Sequence, residues 1–196
     1  FRTLKDSSSV NSIRVLYLVS NLGCSGPTNQ LYNLICHLNP DRYKVTLITL
    51  SPEPTLSSWN KFRDLHLKVH SLGLSRVSGF LLNKIYLHRI LNQVSPDIIH
   101  SQGIRSDHLN SRLNNYPNRV STQRNNPLID YPLLYGKLSG QVMANFHLRF
   151  LKRIPQVITC SQSISVVNHQ LGLESTFISN GIHYMPDHRI SKREEK

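Results

Sequence analysis

Short apolar runs alternate with segments of helical periodicity along most of this chain. The run IRVLYLVS at 13–20 is almost continuously apolar and has the length of a buried strand. After it, apolar residues recur at the spacing of one helix face: Leu31, Leu34, Ile35 and Leu38. The polar segment NPDR then ends this periodic stretch. The pattern predicts a buried strand followed by an amphipathic helix.

The same alternation continues along the chain and predicts the fold class. Further strands are predicted at 43–50, 66–72, 96–101, 118–123, 156–161 and 175–179. Helices are predicted at 78–94, from the fourth strand to about Leu113, at 132–153 and at 162–171. This order is typical of a Rossmann-like α/β fold, with a parallel sheet of about seven strands and helices on both faces. Ligands of such sheets bind in the crevice at the carboxyl ends of the strands.

A glycine-containing segment, SNLGCSGPTNQLYNL at 20–34, lies between the first strand and the first helix. Gly23 and Gly26 would let a ligand approach the backbone, and Pro27 suits the first helical position. The free N–H groups of a helix N-terminus attract anions, so the segment is a candidate phosphate site, with ordinary turn chemistry as the alternative. Neither the G-x-G-x-x-G fingerprint nor a P-loop motif is present, which argues against nicotinamide and P-loop nucleotides.

The charge balance is strongly basic and favours a polyanionic neighbour. Twenty-three Lys and Arg residues stand against eleven Asp and Glu, a formal net charge of +12. Because no nucleic-acid-binding motif accompanies it, an anionic membrane surface or a phosphorylated ligand is favoured over nucleic acid. Three widely spaced cysteines and the absence of metal-ligand spacings predict no metal site and a reducing, cytoplasmic location.

Four segments, in order along the chain, resemble the N-terminal domain of GT-B-type glycosyltransferases of family 4. IRVLYLVSNLGCSGPTNQLYNLICHL resembles the first strand, glycine-rich loop and first helix of the family. PDIIHSQGIRSD, VITCSQSIS and FISNGIH resemble its fourth-strand segment, its sixth-strand segment and the segment that closes the domain. The strings GPTNQLYNL and STQRNNPLIDYPLLYGK look most like members that build bacterial capsular polysaccharide or exopolysaccharide.

The resemblance implies an activity and a division of the chain. It implies a retaining transferase that moves a hexosyl-type unit from a nucleotide-sugar co-substrate to a polysaccharide or lipid-linked acceptor, without a further cofactor. Residues 1–12 are expected to be a disordered leader, 13–182 the acceptor-side domain, and 183–196 a linker toward an absent C-terminal nucleotide-sugar domain. Since that domain holds the donor with a pair of glutamates in the family, the fragment alone is expected to be inactive.

In the family the glycine loop closes over the donor diphosphate. Carried over residue by residue, this implies that the following residues line the loop: Gly23, Ser25, Gly26, Thr28 and Asn29. Ser25 departs from the second of two adjacent glycines that many members have. Such a loop would stabilise the leaving diphosphate through backbone N–H donors as the glycosidic bond breaks.

The acceptor-side edge is expected to contain His100, Gly103, Arg124 and Asn125. Arg124 stands where many members have a histidine, and its permanently charged fork could hold a phosphate. His100 ends a strand at the ligand edge. These two are the candidate catalytic residues, with a solvated loop arginine and a histidine satisfied by backbone as the alternatives.

Two residues depart from the family pattern, and one pair of residues is predicted to form a turn that the family also has. Gln102 and Ser179 replace a second histidine and a proline that are common in the family. Asn180 and Gly181 are predicted to form a turn, because this pair tolerates positive φ, and in the family that turn starts the crossover to the second domain.

The segment YPLLYGKLSGQVMANFHLRFLKR, residues 131–153, mixes apolar residues with Lys137, Arg149, Lys152 and Arg153. A basic amphipathic helix can lie on an anionic membrane, which would place the protein on the inner face of the plasma membrane near a lipid-linked acceptor. The alternative is a core-packed helix with a solvated basic face.

The sequence is compatible with two other functions. The chain could be a non-catalytic subunit or truncated product that binds acceptor or membrane and needs a partner chain. It could also be an unrelated Rossmann-like binding domain. A pair of glutamates downstream of Lys196 would favour the transferase.

Overall fold

The computed structural model describes residues 12–75 and 86–181. Its centre is a seven-stranded parallel sheet in the order β3-β2-β1-β4-β5-β6-β7. The strands are β1 (Ile13–Val19), β2 (Tyr43–Thr49), β3 (Lys68–Ser71), β4 (Ile98–Gln102), β5 (Arg119–Gln123), β6 (Gln156–Thr159) and β7 (Thr176–Phe177). All seven predicted strands are confirmed. The predicted linker and all but the last residue of the predicted leader lie outside the described residues.

Helices connect successive strands and confirm the Rossmann-like α/β prediction. They are α1 (Gly26–Cys36), α2 (Trp59–Arg63), α3 (described over 86–94), α4 (Ile104–Asn110), α5 (Pro127–Tyr135), α6 (Lys137–Leu151) and α7 (Gln162–Gln170). The short helix α2 does not follow from the sequence pattern. Residues 76–85, which include the predicted start of α3, lie outside the described residues. Within the described ranges, no helix is both long enough and apolar enough to cross a bilayer.

Strand β1 is buried on both faces, which explains its continuous apolar run. Leu16 and Leu18 pack in a cluster with the inner residues of α3 and α4 and the turn after α4: Leu87, Leu91, Leu109 and Leu113. Val15, Tyr17 and Val19 pack on the opposite face with residues of α1 and α2: Leu31, Ile35 and Phe62. Right-handed crossovers leave β1 and β4 in opposite directions, so helices cover both faces of the sheet.

The strand register aligns the carboxyl ends of the central strands. Val19 at the end of β1 pairs with Thr49 of β2 and with Gln102 of β4. Gln123 at the end of β5 pairs with Thr159 of β6. The order of the strands reverses between β1 and β4, and the crevice at such a reversal is where parallel sheets bind ligands. We call this side of the sheet the ligand edge.

The prediction of one long helix at 132–153 is wrong. The chain forms two helices, α5 and α6, which are separated by Gly136 at φ 84°. Helix α5 begins at Pro127, earlier than the sequence pattern indicates. Asn126 caps it, because its side-chain oxygen accepts from the Leu128 N–H at 3.1 Å. We call the two helices the α5–α6 hairpin.

The two helices of the hairpin pack with almost no space between their backbones at one point. A Cβ atom added to Gly140 of α6 would lie 2.3 Å from both the Tyr131 carbonyl oxygen and the Pro132 nitrogen of α5. Only glycine fits at such a distance, so the crossing point of the hairpin depends on this residue.

Candidate functional site

The glycine loop enters α1 through a tight set of local hydrogen bonds. Ser25 is the N-cap, and its Oγ accepts from the Thr28 N–H at 3.3 Å. The Thr28 hydroxyl donates to the Gly23 carbonyl oxygen at 2.7 Å. Gly26 takes the first helical position and Pro27 the second, which corrects the predicted position of the proline by one residue. Ser25 therefore serves as a cap where the family often has glycine.

A second segment of the chain, after β2, braces the glycine loop from outside. The Glu53 carboxylate accepts from the Leu22 N–H at 3.0 Å and from the Ser57 hydroxyl at 2.6 Å. The Cys24 N–H donates to the Leu56 carbonyl oxygen at 3.2 Å. Sequence reasoning missed this brace, which fixes the loop backbone at the ligand edge.

The two glycines of the loop have different structural requirements. A Cβ on Gly23 would lie 3.2 Å from both the Asn21 side-chain oxygen and the Pro54 ring, so packing within the loop favours glycine there. A Cβ on Gly26 would meet no atom of the described residues within 4 Å. The fold therefore tolerates a side chain at position 26, and the open space beside the α1 N-terminus is accessible to an external group.

Arg124 leaves the end of β5 and connects two other parts of the ligand edge. Its Nε donates to Gln102 Oε1 at 3.1 Å, and its Nη1 donates to Asn180 Oδ1 at 2.6 Å. Burial lowers the pKa of this guanidinium from its ordinary value. These bonds hold the fork in one orientation at the edge of the sheet, so Arg124 is not a freely solvated loop arginine.

The amide of Gln102 presents a buried donor with no partner among the described residues. Its Oε1 accepts from Arg124, whereas its Nε2 is buried and makes no hydrogen bond there. The hydroxyls of Thr49 and Thr159, at the ends of β2 and β6, are in the same condition. A buried unpaired donor costs about 1–3 kcal/mol. These unpaired polar atoms lie at the ligand edge but are enclosed by the surrounding protein. The sequence marks Gln102 only as a departure from the family pattern.

His100 is a buried, neutral ring rather than an open edge group. Its Nε2 shares a 2.7 Å hydrogen bond with the Thr122 hydroxyl, and its ring centroid lies 5.0 Å from that of Tyr17. Burial, and then the charge of Arg124, lowers its pKa to about 4. Burial raises the pKa of Tyr17 to about 12. Near neutral pH, two uncharged rings therefore lie beside the charged fork of Arg124.

The other two residues predicted at the ligand edge are Gly103 and Asn125, and both act through their backbones. Gly103 has φ 90° and allows the sharp turn from β4 into α4. The Asn125 carbonyl oxygen accepts from the Gln123 side-chain amide at 3.1 Å. Asn180 and Gly181 do not have positive φ. The residues that would follow them in the predicted turn lie outside the described residues, so the turn stays a prediction. Asn180 holds Arg124 through its side chain.

A buried polar network behind the site was also missed from the sequence. Asp107 of α4 is fully buried, and its carboxylate accepts from Ser101 of β4 at 2.6 Å, Ser121 of β5 at 2.7 Å and His147 Nε2 of α6 at 2.7 Å. The other ring nitrogen of His147 lies 2.8 Å from the Tyr131 hydroxyl of α5. The network therefore fastens the α5–α6 hairpin to the two strands that carry His100 and Arg124.

The four basic residues predicted to face a membrane are exposed but do not lie together. Lys137 is the first residue of α6, and Arg149 lies in its last turn. Lys152 and Arg153 follow the helix, and the Lys152 ammonium donates to the Leu171 carbonyl oxygen at 2.7 Å. The structure thus separates Lys137 from the other three by most of the length of α6.

One groove formed by the described residues lies outside this site. The groove, of about 590 Å³, lies at the opposite edge of the sheet and includes Arg14, Lys44 and Lys68 in its lining. It contains none of the candidate residues. Within 12–75 and 86–181, no three His, Cys, Asp or Glu side chains come close enough together to hold a metal ion.

Comparison with known families identifies the chain. The sequence model of Glycosyltransferase Family 4 matches residues 25–184, which run from the N-cap of α1 past the end of the sheet. The chain belongs to glycosyltransferase family 4. The resemblance seen in the sequence motifs is therefore confirmed, and the matched range contains Gly26, Arg124 and Asn180.

Several solved structures have the same fold as this chain. HepE of Anabaena in complex with UDP superposes with a TM-score of 0.64 at 14% identity, over 93% of this chain and 50% of that one. Sucrose-phosphate synthase from Thermosynechococcus elongatus gives a TM-score of 0.61 at 13% identity, over 92% and 52%. The family 4 chain thus has the fold of the N-terminal half of GT-B proteins and spans about half their length.

The likeness to solved structures shows the fold of this chain but does not identify a reaction. A UDP-N-acetylglucosamine 2-epimerase also superposes, with a TM-score of 0.58 at 9% identity, over 94% of this chain and 55% of that one. The same architecture therefore occurs in enzymes with different reactions. Comparison with curated proteins gives no match. Membership of family 4 is what distinguishes this domain from the epimerases.

Proposed function

We propose that this family 4 chain is the acceptor-side half of a retaining glycosyltransferase. The complete enzyme would move a sugar from a nucleotide-sugar to a polysaccharide or lipid-linked acceptor on the cytoplasmic side of the membrane. The match to the family model over residues 25–184 is the observation on which the proposal rests. The second domain, which holds the donor in this family, would complete the crevice above the ligand edge.

The glycine loop is proposed to face the donor diphosphate. At the α1 N-terminus Pro27 has no N–H and the Thr28 N–H is bonded to Ser25 Oγ. The Gly26 N–H and the partial positive charge of the helix are therefore proposed to face the space beside Gly26, where an added Cβ would have no atom of the described residues within 4 Å. The brace from Glu53 holds this backbone in place before any ligand arrives. Preorganised donors of this kind stabilise the charge that develops on a leaving diphosphate.

Arg124 is proposed to contribute positive charge at the same edge. Its Nε and Nη1 are fixed by Gln102 and Asn180, which orients the guanidinium without neutralising it, because both partners are uncharged amides. A fixed fork suits the paired oxygens of a phosphate or carboxylate. Gln102 positions the guanidinium through its Oε1 and is buried itself, so its role in the proposal is to orient Arg124.

HepE supports a nucleotide-sugar as the donor class. Its structures are complexes with UDP and with UDP-glucose, and the second of these superposes on this chain with a TM-score of 0.62 at 15% identity. The identity of the sugar and of the base does not follow from a likeness in fold, so the proposal for this chain extends to the nucleotide-sugar class.

Replacement of Gly26 tests this assignment in the protein that carries the second domain. Gly26→Val should lower kcat/KM for nucleotide-sugar turnover by about a hundredfold or more, because the new side chain would occupy the space beside the donor N–H groups. Release of nucleoside diphosphate from a panel of nucleotide-sugars measures the effect. The melting temperature should stay close to that of the wild type, since a Cβ at this position meets no atom of the described residues within 4 Å.

Cys36→Val is the matched control for the Gly26 variant. It introduces the same β-branched side chain at the exposed last position of the same helix, ten residues from the loop. This control should keep wild-type kinetics. Wild-type kcat/KM in Gly26→Val would show that the loop is only a turn and would remove it from the proposed donor site.

A further inference from the structure

Exposed apolar side chains concentrate where α5 meets α6. Leu133 and Leu138 are 79% and 85% exposed, and Leu134 and Tyr135 between them are also exposed. A single exposed leucine is normal on a protein surface, but four large apolar residues within six positions form a continuous patch. We call these four residues the apolar tip.

The patch continues from the apolar tip along the outer face of α6. Val142 and Phe146 follow Leu138 at intervals of four residues, so the three lie on one face of the helix, and all are exposed. At the end of this row the Arg149 guanidinium lies 5.9 Å from the centre of the Phe146 ring. The apolar tip and this row together form a surface along the hairpin.

The charged Lys, Arg, Asp and Glu residues from Tyr131 to Leu173 are all basic. Lys137 lies within the apolar tip, and Arg149 lies at the other end of the row. The sequence contains no Asp or Glu from Tyr131 to Leu173. Asp130, just before this stretch, accepts from the Asn126 N–H at 2.9 Å within its own helix turn. An apolar surface flanked by cations and free of acidic residues is complementary to an anionic apolar boundary.

The apolar tip lies at the ligand edge of the sheet. Helix α6 ends at Leu151, shortly before β6 begins at Gln156 on the opposite edge. Its fifteen residues extend for about 22 Å, which is close to the full height of the sheet. Its first residue, Lys137, therefore lies at the edge where the glycine loop and Arg124 are found.

We propose that the apolar tip and the outer face of α6 dock on a membrane that contains anionic lipid. The leucines of the apolar tip enter the interfacial region, and Lys137 and Arg149 contact the headgroups. A second copy of the chain is a poorer occupant, because two such faces would bring their cations together. This inference goes beyond the proposed function and stands without it, because docking requires no turnover.

Sedimentation of the 196-residue chain with vesicles tests the proposal. Binding to vesicles of phosphatidylcholine mixed with phosphatidylglycerol should exceed binding to phosphatidylcholine alone and should weaken as salt is added. The double variant Leu133→Ser/Leu138→Ser should lose at least about tenfold in partition constant, since burial of one leucine typically contributes that much. Circular dichroism should show an unchanged fold, because both side chains are exposed.

Matched variants distinguish this surface from a generally sticky or basic protein. Leu34→Ser alters a leucine that is 41% exposed on α1, on the opposite face of the sheet, and should leave binding unchanged. Lys137→Gln/Arg149→Gln should reduce binding more than Lys152→Gln/Arg153→Gln, although both pairs remove two charges. Equal losses from the two charge pairs, or equal binding to the two kinds of vesicle, would overturn the proposal.

A second copy of the chain as the occupant gives a different result. In that case light scattering would show a dimer that the leucine variant dissociates, and neither kind of vesicle would sediment the protein. That outcome would also overturn membrane docking. Loss of vesicle binding in the leucine variant, with wild-type nucleotide-sugar turnover in the two-domain protein, would leave the proposed function intact.

Discussion

Arg124 follows the end of β5, His100 lies in the middle of the neighbouring strand β4, and the charge of Arg124 influences the protonation of His100. The pKa of His100 is lowered to about 4 by burial and then by Arg124. His100 is therefore neutral near pH 7 and cannot supply a positive charge to a phosphate. Of the two candidate catalytic residues, Arg124 is the one that can supply positive charge.

The depressed pKa of His100 predicts a pH dependence of stability. The unfolded chain binds a proton on this residue below about pH 6.5, whereas the folded protein binds it only near pH 4. The free energy of unfolding should therefore fall as the pH is lowered from 6.5 to 4, by up to about 3 kcal/mol in total. Urea unfolding at a series of pH values measures this change.

His100→Gln serves as the control for the pH experiment. Its amide can keep the hydrogen bond to Thr122, and it does not titrate. The difference in unfolding free energy between wild type and variant should vary with pH across the window from 6.5 to 4 and be constant above it. Parallel pH curves for the two proteins would contradict the assignment of a depressed pKa to His100.

At the residue scale, the sequence indicates which groups are present but not which distant groups they meet. Arg124 and the loop glycines can be selected because motif and residue type identify them. Asp107 looks like an ordinary helix residue, and its burial depends on His147, which lies forty positions further along the chain. Glu53 likewise meets the loop only through the folded path after β2. Local patterns contain no information on such contacts.

At the scale of elements, the strands were predictable and the α5–α6 hairpin was not. A strand that is buried on both faces gives a short, nearly continuous apolar run, and β1 is such a strand. The hairpin has helical apolar spacing on both sides of Gly136, and helical patterns often tolerate a single glycine. Only the φ of 84° at Gly136 shows that the chain turns there. The break determines where the apolar tip lies.

Gly140→Ala tests the packing of the hairpin. Its Cβ would lie 2.3 Å from backbone atoms of Tyr131 and Pro132, which no side-chain rotation can relieve. Alanine gains about 1 kcal/mol of helix propensity over glycine, but the clash should outweigh it and lower the free energy of unfolding by about 1–3 kcal/mol. Denaturant unfolding measures the difference.

Gly26→Ala provides the comparison for the hairpin variant. It makes the same chemical change at a helical glycine where no atom of the described residues lies within 4 Å, so its stability should match or exceed that of the wild type. If Gly140→Ala proved as stable as Gly26→Ala, α5 and α6 could not cross at the described distance.

At the scale of the whole molecule, we propose that the ligand edge forms one wall of a crevice between two domains. The chain spans about half the length of HepE and sucrose-phosphate synthase, and its loop, Arg124 and Gln102 all lie along that one wall. In the family the opposite wall holds the nucleotide-sugar. The formal charge of +12 suits the two proposals, namely a donor diphosphate at the ligand edge and an anionic membrane beside it.

Parallel assays of sugar transfer, with residues 1–196 alone and with the protein that carries the second domain, test whether this chain is the acceptor-side half of a transferase. The assay uses a panel of nucleotide-sugars and follows both transfer and release of the nucleoside diphosphate. We predict turnover by the two-domain protein, loss of turnover in the Gly26→Val variant of that protein, and no turnover by residues 1–196. Turnover by residues 1–196 alone at a rate comparable to that of the longer protein would contradict it.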